Sequence, residues 1–102
     1  MTPVIYTTQA RAELAKIWRD IADENEPAAD RIFLAITERV EALRHYPRIG
    51  PRRPDIRPTT RLLVEGNYLI LYELHPDRDD EPVEWVEVVT IVDGRRDLTE
   101  FF

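Results

Sequence analysis

The residues best suited to chemistry in this chain are arginines, and they cluster at two places. Six arginines against one acid lie in the segment 44–61, and the chain ends on VDGRRDLTEFF, where two arginines follow a strand-like run. A guanidinium pairs bidentately with a carboxylate or a phosphate, but its pKa is too high for proton transfer. The candidate contact groups for a negatively charged target are Arg52, Arg53, Arg61, Arg95 and Arg96.

Other side chains that support catalysis or metal binding are scarce. The absence of cysteine excludes disulfides, thiolate nucleophiles and cysteine zinc sites. The histidines, His45 and His75, lie outside the tail, and the acidic run 77–81 lacks the glycine and glutamate spacing of a calcium loop. No Gly-rich phosphate loop or Ser-His-Asp set occurs. We therefore predict no catalytic residue, no metal and no cofactor.

Charge is distributed unevenly along the chain. The formal net charge is −6, although the segment 44–61 carries +5, so the rest of the chain carries −11. Part of that negative charge lies in the segment 73–87, which contains seven acids against one arginine. A negative net charge opposes generic nucleic-acid binding, which depends on neutralising phosphates. We expect no sequence-specific contact with nucleic acid. The basic segment could form either a local positive face or a solvated loop.

The length of 102 residues is that of one domain, 1–102, and the composition is that of a soluble protein. No basic leader precedes an apolar stretch at the start, and no run of about 18 apolar residues occurs. These features predict a cytoplasmic protein without a membrane segment.

Two helical stripes follow a short strand-like run, PVIYTT. Apolar residues from Ala10 to Ile21 recur at helical spacing, and Thr7 or Thr8 can cap this helix. A second stripe runs from Ala28 to Leu43. Pro27 suits the first position of this helix, with Asn25 or Glu26 before it. The short DENEP connection predicts an antiparallel helical hairpin whose stripes pack together.

The second half of the chain predicts a proline-rich loop and three strands. YPRIGPRRPDIRPTT excludes a helix or a central strand and predicts a stiff, extended loop. RLLVEGNYLILYEL predicts a β-hairpin around Gly66-Asn67, with glycine first as in a type II′ turn. VEWVEVVTIV predicts a last strand with a bulge near Trp85 and Val86. The order β-α-α-β-β-β predicts an α+β fold, with the helical hairpin on a twisted, mostly antiparallel sheet.

The residues of the tail leave two interpretations open. In the first, Asp97 caps a final helical turn, Phe101 and Phe102 fold back on the sheet, and Arg95 or Arg96 pairs with a nearby acid. In the second, the two arginines are contact groups at the end of the sheet. The residues from Asp97 onward then form a short plug that holds the arginines there.

Three segments are distinctive in their order: LRHYPRIG after the second helical stripe, the strand GNYLILYEL, and RRDL after the last strand. Together they resemble the toxins of type II toxin–antitoxin modules, the RelE/ParE superfamily, and more closely its ParE branch. The resemblance covers nearly the full chain. It implies the RelE/ParE toxin fold and a small bacterial cytosolic toxin that a cognate antitoxin neutralises.

The two branches of the superfamily differ in activity. RelE-like members are ribosome-dependent mRNA endonucleases, whereas ParE-type members are described as inhibitors of DNA gyrase that act by protein binding. The resemblance places Phe102 where the nucleases have a catalytic tyrosine and Val64 at or near one of their basic positions, so the proton-transfer group is missing. It therefore favours gyrase inhibition. The alternatives are RelE-like cleavage, with Arg61, Arg95 and Arg96 binding the scissile phosphate, and a degenerate subunit that only binds antitoxin.

The resemblance also implies a ParD-like antitoxin whose C-terminal segment lies along the helical hairpin and the sheet, forming a hetero-oligomer. An acidic toxin would require apolar anchors or basic groups from that segment, because acid repels acid. The two tryptophans are also compatible with places in the core. The candidate contacts for the antitoxin are the large apolar side chains Leu14, Trp18, Ile21, Phe33 and Trp85.

Overall fold

The computed structural model describes residues 1–95, in which two long helices and four strands follow one another. The predicted roles of Arg96, Asp97 and the two final phenylalanines lie outside the described residues. The elements are β1 (Val4–Tyr6), α1 (Thr8–Ala22), α2 (Glu26–Glu41), a 3-10 turn (Ala42–Arg44), β2 (Arg61–Glu65), β3 (Tyr68–His75) and β4 (Trp85–Asp93).

The helical hairpin begins and turns where the sequence predicts. The Thr7 hydroxyl accepts a hydrogen bond from the Ala10 backbone N–H at 3.0 Å, and the Asn25 side chain accepts one from Ala28 at the same distance. These bonds satisfy N–H groups that the first turn of each helix leaves without partners. The linker of three residues, 23–25, returns α2 along α1, and the two helices pack together.

The strands form one mixed sheet in the order β1-β4-β3-β2. Strands β2, β3 and β4 are antiparallel neighbours, whereas β1 runs parallel to β4, with Val4 opposite Val86. The predicted mostly antiparallel sheet is therefore confirmed, as is the α+β fold. A parallel pair needs a long connection, which here contains the helical hairpin and the β2–β3 hairpin.

The β2–β3 turn has the predicted conformation, but the bulge does not lie where the sequence suggested. Gly66 has φ +59°, and Asn67 has no positive φ, as a type II′ turn requires. The pairing of β3 with β4 shifts between Leu71 and Tyr72, opposite Val89, whereas Trp85 pairs regularly with His75. The predicted bulge near Trp85 and Val86 is thus wrong.

The ring contact of Trp85 explains this error. Its side chain lies on the sheet face opposite the core, where it stacks on His75 with ring centroids 4.1 Å apart. An apolar residue on the outer face breaks the alternation in the sequence without any change in pairing.

The main core lies between the helical hairpin and one face of the sheet. Alternate residues of β3 contribute to this core, because Ile70, Tyr72 and Leu74 all belong to it. Among residues 1–95, neither helix combines the length and the apolar character that crossing a lipid bilayer requires. The buried members of the core are Ala10, Leu14, Ile36, Val40, Leu43, Leu63, Ile70, Tyr72, Leu74, Val86, Val88 and Ile91.

Candidate functional site

One side of the helical hairpin has two adjoining apolar cavities, which we call the hairpin groove. The cavities share Ala15 and Phe33, so they form one depression along both helices. The first, of about 410 Å³, is lined by Ala15, Trp18, Arg19, Asp30 and Phe33. The second, of about 350 Å³, is lined by Tyr6, Arg11, Leu14, Ala15, Phe33 and Thr37.

Helical spacing and one hydrogen bond shape the groove. Trp18 lies four residues after Leu14 and three after Ala15 on α1, so its ring is on the same side of the helix as both. The Trp18 indole N–H donates to Asp30 Oδ1 at 2.9 Å, which links α1 to α2 and orients the ring. With its polar atom satisfied, the ring offers an apolar face to a partner. Phe33 remains 36% exposed beside it.

The five predicted antitoxin contacts do not form one surface. Trp18 and Phe33 line the hairpin groove, and Leu14 is part of its wall but is only 8% exposed and belongs mainly to the core. Ile21 lines a different cavity, and Trp85 lies on the outer sheet face. The prediction therefore mixed residues from three places.

The cavity that contains Ile21 lies between α1 and the sheet, and we call it the sheet-end cavity. Its charged groups are largely paired with one another, since Lys16 binds Asp20 at 2.7 Å and Arg95 binds Asp93. Burial, followed by the charge of Asp93, raises the pKa of the Tyr68 hydroxyl. The cavity encloses about 340 Å³ and is lined by Glu13, Lys16, Ile17, Asp20, Ile21, Tyr68, Ile91, Asp93 and Arg95.

Arg61, predicted to contact a target, is a structural residue. It is 6% exposed, and its guanidinium binds the Asp77 carboxylate through Nε at 2.9 Å and Nη2 at 3.0 Å. Its Nη1 also donates to the carbonyls of Gly50, at 2.8 Å, and Arg48. All of its donor groups are directed inward, so the prediction for Arg61 is corrected.

Two further arginines join the same arrangement, which we call the ion-pair clamp: Arg48, Arg52, Arg61 and Asp77. Arg52 Nη2 binds Asp77 Oδ1 at 2.8 Å, and Arg48 donates to the carbonyls of Arg78 and Glu81 at 2.8 Å each. The clamp joins the α2–β2 loop to the β3–β4 turn. Two arginines of the basic segment, Arg52 and Arg61, therefore form ion pairs with the acidic segment. The opposite charges of the two segments were the signal from which this contact could have been predicted.

Asp77 remains ionised within the clamp. Burial of its carboxylate, whose side chain is 3% exposed, acts to raise its pKa. The hydrogen bonds and charges of Arg61 and Arg52 outweigh that effect and lower the pKa to about 2. The Asp77 carboxylate is therefore negatively charged at neutral pH.

The remaining predicted target contacts are paired with nearby acids on the surface. Arg53 binds Asp55 at 2.7 Å, and Arg95 Nε binds Asp93 Oδ1 at 2.9 Å. Arg52, with a side chain that is 42% exposed, binds the clamp carboxylate. Residues 1–95 thus hold the predicted arginines at several separate places, and Arg96 lies outside them.

The LRHYPRIG segment is positioned by a buried tyrosine. The Tyr72 hydroxyl accepts a hydrogen bond from the Gly50 N–H at 2.8 Å and donates one to the Pro47 carbonyl at 3.0 Å. A Cβ at Gly50 would lie 2.6 Å from both the Leu62 carbonyl oxygen and the Tyr72 hydroxyl, so only glycine fits without displacement. This contact explains why the segment ends on a glycine.

The chain matches a known protein family over nearly all of its length. A family model described as the ParE toxin of the type II toxin-antitoxin system parDE matches residues 4–98. The chain belongs to the ParE toxin family. It is accordingly a toxin of a ParDE type II toxin–antitoxin system, as its distinctive segments indicated.

Two individual ParE-related proteins resemble the chain over most of its length. Toxin ParE3 of Caulobacter vibrioides is 29% identical over 102 residues, which cover 96% of this chain and 92% of that protein. A solved structure, described as the chromosomal ParDE TA system from P. aeruginosa, has a TM-score of 0.70 at 20% identity. The match covers 91% of this chain and 96% of the other, and it shows that the fold is shared.

Proposed function

We propose that a ParD-like antitoxin neutralises this ParE-family toxin by binding the hairpin groove, and that the free toxin inhibits DNA gyrase in the cytoplasm by protein contact. The observation that carries the proposal is the groove itself, which is apolar, open and continuous along two helices. Its Trp18 ring is oriented by the hydrogen bond to Asp30, so that side chain needs little ordering when a partner binds.

The form of the groove suits a helical segment. An amphipathic helix in a groove is a common mode of peptide recognition, in which residues spaced three or four apart fill successive pockets. The two cavities follow each other along α1, where Arg11 and Arg19 mark their separate ends. Tryptophan and other aromatic residues dominate the energy of many such interfaces. We therefore assign Trp18 and Phe33 as the main antitoxin contacts.

The clamp supports protein contact over RNA cleavage. The nuclease alternative required Arg61 and Arg95 to bind a scissile phosphate. Arg61 is buried against Asp77, and Arg95 is held by Asp93. Releasing Arg61 would leave a buried carboxylate without its main partner, which typically costs several kcal/mol. These contacts weaken the phosphate-binding role that the alternative assigned to Arg61 and Arg95.

Purified toxin tests the gyrase proposal. We expect saturating toxin to stop ATP-dependent supercoiling by gyrase and to leave ribosome-bound message intact in primer extension. Normal supercoiling at saturating toxin would contradict the proposal. Codon-phased cuts would instead establish the RelE-like alternative. Unaffected growth after induction without antitoxin would favour the degenerate subunit that only binds antitoxin.

A matched pair of variants tests the groove. Phe33→Ala should weaken binding of the antitoxin encoded beside the toxin gene by roughly 30-fold or more, as truncation of a central aromatic contact does. Leu34→Ala is the control, because Leu34 is 55% exposed on the same helix but lines neither cavity. Isothermal titration should show control binding within about threefold of wild type. Equal losses in both variants would refute the assignment of the groove.

A further inference from the structure

Three arginines of the helical hairpin are free of partners within residues 1–95. Arg11, Arg19 and Arg31 make no ion pair or side-chain hydrogen bond, whereas every other arginine described has at least one polar or electrostatic interaction. Most of the protein's positive charge is therefore neutralised internally. The three arginines without a partner all lie on the helical hairpin.

Two of these three arginines line the hairpin groove. Arg11 lines the cavity with Tyr6, and Arg19 lines the cavity with Trp18. They are eight residues apart on α1, which corresponds to about 12 Å along the helix axis. One acid, Asp30, also lines the groove, where it accepts the indole hydrogen bond. The lining thus has one more positive than negative charge, although the chain as a whole carries −6.

We propose that the groove selects an acidic amphipathic helix, with apolar side chains in the two cavities and carboxylates about two helical turns apart facing Arg11 and Arg19. This inference rests on the proposed function and names the chemistry of the antitoxin segment. The expectation from net charge was apolar anchors or basic groups; this inference keeps the apolar anchors and replaces the basic groups with acidic ones. The local charge of the groove, and not the net charge of the chain, determines which helix is preferred, because screening limits interactions between exposed charges to about 8–10 Å in physiological salt.

The physical reason lies in what happens to the arginines when the groove is covered. A helix over the cavities removes water from both guanidiniums, which is unfavourable unless a carboxylate takes its place. A lysine-bearing helix would add repulsion to that cost. Complementary charges at the rim also accelerate encounter, so the preference should depend on salt.

Two synthetic peptides provide the probe. Each is about 20 residues long, which gives a helix of roughly 30 Å. They share the same leucine and alanine positions, and they differ only in glutamates or lysines at the flanking positions. Fluorescence anisotropy with the full toxin should show the acidic peptide binding at least about tenfold tighter at low salt, with the ratio falling towards one near 1 M salt.

Charge-reversal variants locate the effect. The double variant Arg11→Glu with Arg19→Glu should abolish or invert the preference. Arg31→Glu is the control, because Arg31 is equally unpaired but lines neither cavity, and the preference should change less than about twofold. Thermal melts of each variant establish that the fold is intact.

The outcomes separate this inference from the proposed function. Equal binding of the two peptides, a preference for the lysine peptide, or no binding of either would overturn the acidic-helix inference. The same holds if the double variant keeps the wild-type preference. None of these results alters the antitoxin comparison of Phe33→Ala with Leu34→Ala, which tests the groove by itself. Loss of that contrast would contradict the proposed function.

Discussion

Replacement of Asp77 by asparagine tests the ion-pair clamp, because it removes one charge without a large change in shape. The carboxylate accepts hydrogen bonds from Arg61 at 2.9 and 3.0 Å and from Arg52 at 2.8 Å. In Asp77→Asn, the buried Arg61 guanidinium loses its counter-charge, which is the costly way to break such a pair. We therefore expect a folded but clearly less stable protein.

The pKa of Asp77 sets the size of the contribution that the clamp makes to the free energy of unfolding. It falls from an ordinary value of 3.8 to about 2 in the folded protein, and each pH unit between the folded and unfolded values is worth about 1.4 kcal/mol. The interaction thus contributes about 2 kcal/mol, a substantial part of the roughly 5–15 kcal/mol typical of a domain. Because the folded pKa is the lower one, this contribution is present above about pH 4. It is lost as the pH falls through about 2.

Urea denaturation of wild type and variant across pH 2–7 measures the effect. The free energy of unfolding should be lower in Asp77→Asn by about 2–4 kcal/mol at pH 7, and the gap should shrink below pH 4. Asp79→Asn is the control, because Asp79 is 85% exposed and 3.5 Å from Arg52, so its loss should cost less than about 1 kcal/mol. A gap that is absent at pH 7, or that stays constant down to pH 2, would refute the role of the clamp.

Three further substitutions test local features of the fold by thermal or urea denaturation. Tyr72→Phe should cost about 1–3 kcal/mol, because the buried Gly50 N–H and the Pro47 carbonyl lose their hydroxyl partner. Gly66→Ala should cost about 1 kcal/mol, since φ +59° is unfavourable for a residue with a Cβ. Thr7→Ala should cost about 1–2 kcal/mol by removing the α1 cap and a 2.7 Å bond to β4.

Each of these substitutions has a matched control in the chain. Tyr68→Phe removes a hydroxyl that makes no hydrogen bond within residues 1–95. If it lowers the free energy of unfolding as much as Tyr72→Phe does, the hydrogen bonds of the Tyr72 hydroxyl are not the source of the stability. Gly66→Asn should cost less than the alanine variant, because asparagine tolerates positive φ better. Thr7→Ser keeps the capping oxygen. If it is as unstable as Thr7→Ala, the cap is not the source of the effect.

Local features of this fold could be predicted because each depends on a few neighbouring residues. Thr7 and Asn25 cap helices through bonds to residues three positions ahead, and Gly66 adopts the positive φ that its turn demands. The distinctive segments were likewise sufficient to indicate the ParE family, which the match over residues 4–98 confirms. The sequence also singled out Trp18 and Phe33, which both line the hairpin groove, and their role with an antitoxin stays a prediction.

The sequence by itself determined the elements, their order and the family, because helical stripes, caps, turns and strand alternation are short-range patterns. Only the tertiary structure decided which arginines are available. The sheet order places the α2–β2 loop beside the β3–β4 turn, so Arg61 and Asp77 meet across 16 residues and their charges cancel. Arg11 and Arg19 remain unpaired because the groove brings no second acid to them. A charged side chain can bind a partner only where the fold places no opposite charge within a few ångströms of it. The composition of the chain does not specify these distances.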